Sequence, residues 1–293
     1  MMDASDVAKL ASSAWDSTVK AKRLQHIKLL KKSIPPEHHE LFDTIIDIKR
    51  SGVQDDADSR ILILLHGIQT EAKWQQELRK EFSDLPKLNT IPLGYGFVSA
   101  FLLWLPIRFW PTAKIVRKIN SIRDREPNAK LMIIAHSFGT YITSKIIAKY
   151  PEIRFERIVF CGCIVRTDYR WDMHARYMQA GSILNDVGTK DIWPVVATAS
   201  TIGYGSSGRL GFQTSEVRDR FFDYGHSDFF KPDLCHAKSY WKPFINDGTI
   251  IDSSWDTERP NSPFYILLFS NPVLGKIILL ILVLIAIGLW EIF

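Results

Sequence analysis

The sequence predicts an α/β fold in which helices flank a mainly parallel sheet. Continuous apolar runs, such as residues 60–65 and 131–135, are typical of strands that are buried on both faces, as in parallel sheets. Segments with helical periodicity alternate with these runs over residues 60–245. The chain has 293 residues and 46% hydrophobic side chains, which suffices for one large domain with appendages.

Composition limits the classes of partner and cofactor. The net charge of +5 fits an anionic membrane surface at least as well as nucleic acid, and without a nucleic-acid-binding motif we expect no nucleic-acid partner. Three cysteines cannot form a disulfide framework and indicate a reducing compartment. The eight histidines lack metal-ligand spacing, so we expect neither a metal nor an organic cofactor. The N-terminus does not resemble a signal peptide.

Two helices are predicted before the sheet, over residues 3–32 and 37–49, and a polar linker follows at residues 51–59. The second half of the first helix is rich in lysine. Its basic face is either exposed to water or in contact with acidic lipid headgroups. Because the N-terminal region carries no catalytic motif, we expect residues 3–50 to bind a protein partner or to mediate self-association.

Six segments predict the strands of the sheet, and helical patterns connect them. The predicted strands cover residues 60–65, 89–93, 131–135, 157–161, 182–185 and 217–223. The predicted helices between them cover residues 72–82, residues 112–126 and the segment after Ser137.

A serine lies where the third predicted strand turns into a helix. Ser137 has a small residue two positions away on each side, Ala135 and Gly139. A strand, a one-residue turn bearing a serine and a helix are the arrangement of a nucleophile elbow, whose strained turn requires small neighbours. The hydroxyl then lies clear of the sheet, at the positive end of the helix. We predict that Ser137 is a nucleophile; the alternative is a serine that only caps the helix.

The first predicted strand ends in a small turn formed by His66 and Gly67. Backbone amides of this turn, from Ile68 or Gln69, would form an oxyanion hole together with the amide of Phe138. Both turn residues are also candidates for lining a substrate pocket.

Carboxylates and a histidine follow the last two predicted strands. Asp191 lies in a turn at the carboxyl edge of the sheet and is the favoured acid, with Asp186 as the alternative. His226 comes directly after the last strand, from where it can reach Ser137. A serine, a histidine and an aspartate in these places predict a nucleophile, its general base and the acid that orients the base.

Residues 97–110 are almost wholly apolar but too short to span a bilayer. They form a buried core helix, the lining of an acyl pocket or a surface that dips into lipid; their place after a strand favours the last two, since ligands bind beyond the carboxyl ends of parallel strands. Phe101 and Trp104 are therefore candidate pocket residues, as is His136 beside the serine.

Residues 273–290 carry a single charge, Lys276, near their start. As a helix, residues 273–293 would span about 30 Å, which is the thickness of a hydrocarbon core. Leucine and isoleucine on every face favour a transmembrane helix over an exposed core helix or an oligomerisation helix. We expect a single-pass C-terminal anchor, with the preceding domain facing the cytoplasm.

The order of these parts resembles the α/β-hydrolase superfamily across about residues 60–245. The resemblance rests on the segments 134–140, 160–166, 184–194 and 225–229. It is closer to membrane-associated lipases and esterases of the inositol-deacylase and serine-active-site type, and to bacterial hydrolases of unassigned substrate. Ala135 replaces the first glycine of the usual elbow, and no large lid domain is evident.

The resemblance implies acyl transfer through an acyl-enzyme, on a carboxylic ester or thioester of a lipid or acylated substrate. Small soluble esters and peptides are alternative substrates. The chain then divides into an N-terminal helical extension (1–59), a catalytic domain (60–262) and a membrane anchor (263–293). A different class of function is a partner-activated, membrane-tethered effector of the defence or cell-damaging type, with the N-terminal helices as its interaction module.

Overall fold

The computed structural model describes most of the sheet-forming region and parts of both termini. The described residues are 3, 5–7, 9–10, 23–39, 41–43, 45–46, 59–67, 73–94, 109–177, 182–231, 233–258 and 261–290. They belong to two compact units, one formed by Met1–Ser59 with Val116–Ala129 and the other by Arg60–Ile115 with Lys130–Phe293. The three-part division predicted from the sequence stays a prediction.

The N-terminal unit contains helix α1 (Arg23–Lys32) and a 3-10 turn (Pro36–His38). Residues 5–7, 9–10, 41–43 and 45–46 are also helical, while residues 11–22 of the first predicted helix lie outside the described part. Four buried apolar side chains form a small core of their own: Val7, Ile34, Phe42 and Ile46. Burial of this apolar face stabilises helices that are too short to be stable alone in water.

The second unit is built on six strands. These are β1 (Arg60–Leu65), β2 (Leu88–Leu93), β3 (Lys130–His136), β4 (Phe155–Cys161), β5 (Ile183–Gly188) and β6 (Arg218–Phe222). They form one sheet in the order β2-β1-β3-β4-β5-β6, and every neighbouring pair is parallel. The chain leaves β1 for the edge strand β2 and then returns to β3, so the carboxyl ends of β1 and β3 lie side by side. Ligands bind at such a reversal in open α/β sheets.

The remaining helices alternate with the strands or follow them along the chain. They are α2 (Lys73–Glu81), α3 (Phe109–Arg125), α4 (Phe138–Lys149), α5 (Trp193–Ser200), α6 (Ser207–Leu210), α7 (Lys242–Asp247), α8 (Trp255–Glu258), α9 (Phe264–Ser270) and α10 (Leu274–Trp290). A π-helical turn (Ala237–Trp241) precedes α7. Of the apolar segment 97–110, only the last two residues are described, at the start of α3, so the pocket candidates Phe101 and Trp104 lie outside the described residues.

The sheet is buried on both of its faces. On one face, Leu62, Met132 and Leu184 of β1, β3 and β5 are fully buried, and Trp74 of α2 and Trp241 of the π-helical turn belong to the same core cluster. On the other face, Ile63 and Ile133 are buried as completely. Strands that are buried on both faces have unbroken apolar runs, which is why the sequence predicted them.

One predicted boundary is wrong in a way that matters for the site. The fifth strand does not end at residue 185 but continues to Gly188, so that Asp186 lies inside the strand. Asp186 is opposite Arg220 of β6 in the register of the two strands. This neighbour allows a carboxylate to occupy the middle of a buried strand, where an unpaired charge would be unfavourable.

The apolar C-terminal segment forms two helices, α9 and α10. Lys276 near the start of α10 donates a hydrogen bond of 2.9 Å to the carbonyl oxygen of Thr198 in α5. Among the described residues, no single helix combines the length and the hydropathy of a membrane span. Residues 264–270 and 274–287 meet both criteria only as a pair, and they are bent by 99°.

Candidate active site

Ser137 lies in a strained turn between β3 and α4. Its backbone has φ 53° and ψ −120°, which L-residues rarely adopt. A Cβ atom at Gly139 would lie 2.6 Å from the carbonyl oxygen of Leu65, and one at Gly67 would lie 2.8 Å from Cβ of Ser137. Both glycines are therefore required by the close approach of β1 to the turn; the pattern around Ser137 predicted a small residue at 139, but not the contact of Gly67.

Thr140 holds the turn from the helix side. Its hydroxyl donates a hydrogen bond of 2.6 Å to the carbonyl oxygen of Ser137 and accepts one of 3.2 Å from the amide of Ile164. The amide of Ser137 donates to the carbonyl oxygen of Cys161, at the end of β4. The serine backbone is thus fixed by its own helix and by the neighbouring strand.

His226 and Asp191 form a hydrogen-bonded pair. Nδ1 of His226 lies 2.8 Å from Oδ2 of Asp191, and the side chain of Asp191 is fully buried. The other carboxylate oxygen accepts a hydrogen bond of 3.0 Å from the amide of Trp193. Because a carboxylate only accepts, the proton of the imidazole lies on Nδ1, and Nε2 is left to accept one.

Asp186, the alternative acid, has different partners. It accepts hydrogen bonds from Nε and Nη2 of Arg220, from Nε2 of His236 and from Nε1 of Trp241, at 2.7 to 3.0 Å. Burial opposes its ionisation, but Arg220 and His236 outweigh burial and lower the pKa of Asp186 to about 2. Asp186 is therefore a structural carboxylate that joins β5 to β6 and to the π-helical turn.

His136, next to the serine, contacts the loop that carries His226. Nε2 of His136 donates a hydrogen bond of 3.0 Å to the backbone carbonyl oxygen of His226, and the two rings are 4.6 Å apart. Burial first, and then the proximity of His226, lower the pKa of His136 well below its ordinary value. The ring is therefore neutral, with its proton on Nε2. Its Nδ1 has no hydrogen-bond partner among the described residues.

Sequence reasoning missed Gly162, which follows β4. It has φ 56°, and a Cβ atom there would lie 2.8 Å from Cε1 of His226 and 3.0 Å from Nε2 of His136. The sequence shows a glycine between Cys161 and Cys163, but only the folded structure shows that the histidine rings leave no room for a side chain there.

The remaining candidates are partly described. Phe138 is buried as the first residue of α4, where its amide belongs to the N-terminus of the helix. Nδ1 of His66 donates a hydrogen bond of 2.5 Å to the carbonyl oxygen of Gly67. Ile68 and Gln69, the other predicted oxyanion donors, lie outside the described residues. Within the described part of the chain, no group of three or more histidine, cysteine or acidic residues could hold a metal ion.

Comparison with known proteins finds similarity in structure only. No protein-family model matches the chain, and no curated protein matches it in sequence. A poly(3-hydroxybutyrate) depolymerase from Bordetella parapertussis is 13% identical with a TM-score of 0.46, over 67% of this chain and 81% of that one. An α/β serine hydrolase without a lid from Xanthomonas campestris is 14% identical with a TM-score of 0.41, over 70% and 84% of the two chains. A cutinase-like protein from Cryptococcus sp. is 13% identical with a TM-score of 0.39, over 66% and 97%.

Proposed function

We propose that this protein, whose sheet order and elbow are those of the α/β-hydrolase fold, is a serine hydrolase that cleaves a carboxylic ester or thioester. The observation that carries the proposal is the contact of 2.8 Å between Nδ1 of His226 and Oδ2 of Asp191. Ser137, Asp191 and His226 follow β3, β5 and β6, and the carboxyl ends of parallel strands meet at one edge of the sheet. An imidazole oriented by a buried carboxylate is the general base that a serine hydroxyl requires.

In the first step of the proposed reaction, Oγ of Ser137 attacks the carbonyl carbon and its proton passes to Nε2 of His226. Asp191 keeps the other ring proton on Nδ1 and stabilises the imidazolium. The amide of Phe138, with a second amide from the turn after β1, binds the oxyanion, at about 3 kcal/mol per donor. His226 then gives its proton to the leaving alcohol or thiol. In the second step, water attacks the acyl-enzyme and gives a proton to Nε2 of His226, which passes it to Oγ of Ser137 as the acid is released.

An acyl substrate is supported by an apolar cavity of about 240 Å³ that begins one residue after Asp191. It is lined by Ile192, by Val195 and Val196 of α5, by Ile266 and Phe269 of α9 and by Leu279 of α10. Trp193 is 58% exposed, and its ring lies 6.5 Å from that of His226. Burial of an alkyl chain in such a cavity would contribute about 0.8 kcal/mol for each methylene group.

We also propose that α9 and α10 attach the protein to a membrane, which would be the source of the substrate. The apolar residues 280–285 are each about half exposed, from 47% at Val283 to 58% at Leu280 and Leu284. Successive residues of a helix are about 100° apart, so among the described residues this stretch of α10 has a partly exposed apolar side chain on every face. A helix that is apolar on all sides suits a lipid environment. The bond between Lys276 and α5 would then bring the bilayer close to Asp191.

The experiment that tests the enzyme is labelling of the detergent-solubilised full chain with a fluorophosphonate probe. We expect wild-type protein to be labelled, Ser137→Ala to be unlabelled and His226→Ala to be labelled far more slowly. Ser144→Ala is the matched control, because Ser144 lies on α4 with its hydroxyl bound to the carbonyl oxygen of Tyr141. Labelling that persists in Ser137→Ala, or wild-type protein that neither reacts nor hydrolyses a 4-nitrophenyl octanoate, would contradict the proposal.

A further inference from the structure

Arg209 in α6 is a buried cation for which the described residues provide no acidic partner. Its exposed fraction is 8%, and its Nε has no hydrogen-bond partner among the described residues. No acidic side chain of the described part forms an ion pair with it. Buried arginines are normally paired, because removal of a guanidinium from water is costly unless its donors are satisfied. An unpaired, buried guanidinium is therefore suited to a ligand that supplies the missing anion.

The position of Arg209 is fixed by its helix. The amide of Gly208 donates a hydrogen bond of 2.8 Å to the carbonyl oxygen of Cys163. The hydroxyl of Ser207 donates one of 2.8 Å to the carbonyl oxygen of Val165, and Nδ2 of Asn185 donates one of 3.0 Å to the carbonyl oxygen of Ser207. These bonds hold α6 against the segment that follows β4, so the backbone from which the Arg209 side chain extends has a fixed place before any ligand binds.

The helix that carries Arg209 lies next to the proposed active site. A Cβ atom at Gly208 would lie 2.8 Å from the carbonyl carbon of Gly162, and a Cβ atom at Gly162 would touch His226. Burial lowers the pKa of Arg209, and the negative charge of the Asp191 carboxylate opposes this shift. Arg209 thus lies within electrostatic reach of the acid of the proposed triad.

We propose that Arg209 binds the anionic group, a phosphate or a carboxylate, of an amphipathic acyl ester. The inference rests on the proposed function and names its substrate class: the alkyl chain occupies the cavity between α5, α9 and α10, and the anion pairs with the guanidinium. Both anions match the planar fork of arginine, which can donate two parallel hydrogen bonds to two oxygens. A neutral ester would leave the buried charge unpaired and would be a poorer substrate.

The test compares three substrates of the same chain length in neutral detergent micelles: 1-oleoylglycerol, its 3-phosphate and 3-oleoylglycerate. We expect kcat/KM of the full-length wild-type protein to be about tenfold or more higher for at least one of the two anionic esters than for the neutral one. In Arg209→Gln this ratio should fall about tenfold, and Arg209→Lys should keep part of it. Arg170→Gln is the matched control, because it removes the same charge from an exposed pair with Asp172. Its ratio should equal that of wild type.

A binding measurement tests the anion site at Arg209 independently of the proposed hydrolase activity. Titration calorimetry of full-length Ser137→Ala with decyl phosphate requires no catalysis, and we expect binding to weaken about tenfold when Arg209→Gln is added. Equal binding with and without Arg209 overturns the anion site, whatever the outcome of the probe labelling. Inorganic phosphate that binds as tightly as decyl phosphate would assign the site to a free anion and overturn the substrate class. In Arg209→Gln, kcat/KM could also fall equally for the anionic and the neutral esters, so that their ratio stays constant. This result would overturn the substrate class too, since Arg209 would then act only through the charge of Asp191.

Discussion

Nε2 of His136 lies 3.0 Å from the backbone carbonyl oxygen of His226, so the residue beside the elbow serine holds the loop that carries the proposed base. Replacement of this ring should disturb the reaction more than the fold. In His136→Phe the ring still fills its site between Trp74 and Phe230, but the hydrogen bond is lost. We expect kcat/KM for an ester to fall about tenfold, which is the value of one hydrogen bond that positions a reacting group. Unchanged kinetics would show that the loop is held by other contacts.

The same histidine predicts how stability depends on pH. Burial lowers the pKa of His136 in the folded protein below the value of 6.5 that the unfolded chain retains. As pH falls through about 6.5, the unfolded chain binds a proton that the folded protein does not, so the free energy of unfolding decreases towards lower pH, by up to about 1.4 kcal/mol per pH unit. Thermal unfolding at pH 7 and pH 5 should show this loss in wild type. His136→Phe should lose less stability between pH 7 and pH 5 than wild type. An equal loss in the two proteins would mean that groups other than His136 cause the pH dependence.

The sheet and the elbow were predictable because their signals are local. The first strand ends where its apolar run ends, and the small residues around Ser137 are required by a turn of a few residues. The roles of the two aspartates were not predictable in this way. Asp186 and Asp191 are five positions apart, but their partners come from residues 220–241 and 226, and only the folded chain shows which partner each meets.

Gly162 and Arg209 were missed for a related reason. The need for glycine at position 162 arises from the rings of His136, at the end of β3, and His226, on the loop after β6. Arg209 is one of many basic residues in the sequence. What distinguishes it is burial without an acidic partner in the described part of the chain, which no pattern of neighbours along the sequence reveals.

Substitution of the two aspartates should separate catalysis from stability. Asp191→Asn should lower kcat by about three to four orders of magnitude with little change in melting temperature, because the imidazole loses the carboxylate that fixes its tautomer. Asp186→Asn should lower the free energy of unfolding by about 3–5 kcal/mol, because it leaves the fully buried Arg220 without its counter-charge. Kinetics and thermal unfolding of both variants check this, and the reverse pattern would make Asp186 the acid.

Gly162→Ala should impair the reaction by direct contact. The new methyl group would meet Cε1 of His226 at 2.8 Å, in a backbone conformation with φ 56° that favours glycine. We expect a loss of activity of at least about tenfold, together with a destabilisation of about 1–3 kcal/mol. Gly225→Ala is the matched control: it adjoins His226 in sequence, but its nearest contact would be at 3.5 Å. If both variants react with the fluorophosphonate probe at the same rate, the contact at Gly162 does not constrain the base.

Acidic residues on α10 should abolish membrane binding without affecting the active site. Leu280 and Leu284 are each 58% exposed and lie one helical turn apart, so their replacement disturbs no core contact. We expect the full-length wild-type protein to float with phospholipid vesicles in a density gradient. Leu280→Glu/Leu284→Glu should remain at the bottom, since each charge at the centre of a bilayer costs about 2.5–3.5 kcal/mol. The matched Leu280→Ala/Leu284→Ala variant should still float, and all three proteins should react equally with the probe in detergent. Flotation of the glutamate variant would show that the protein binds the membrane without α10, and wild-type protein that does not float would overturn the proposed attachment.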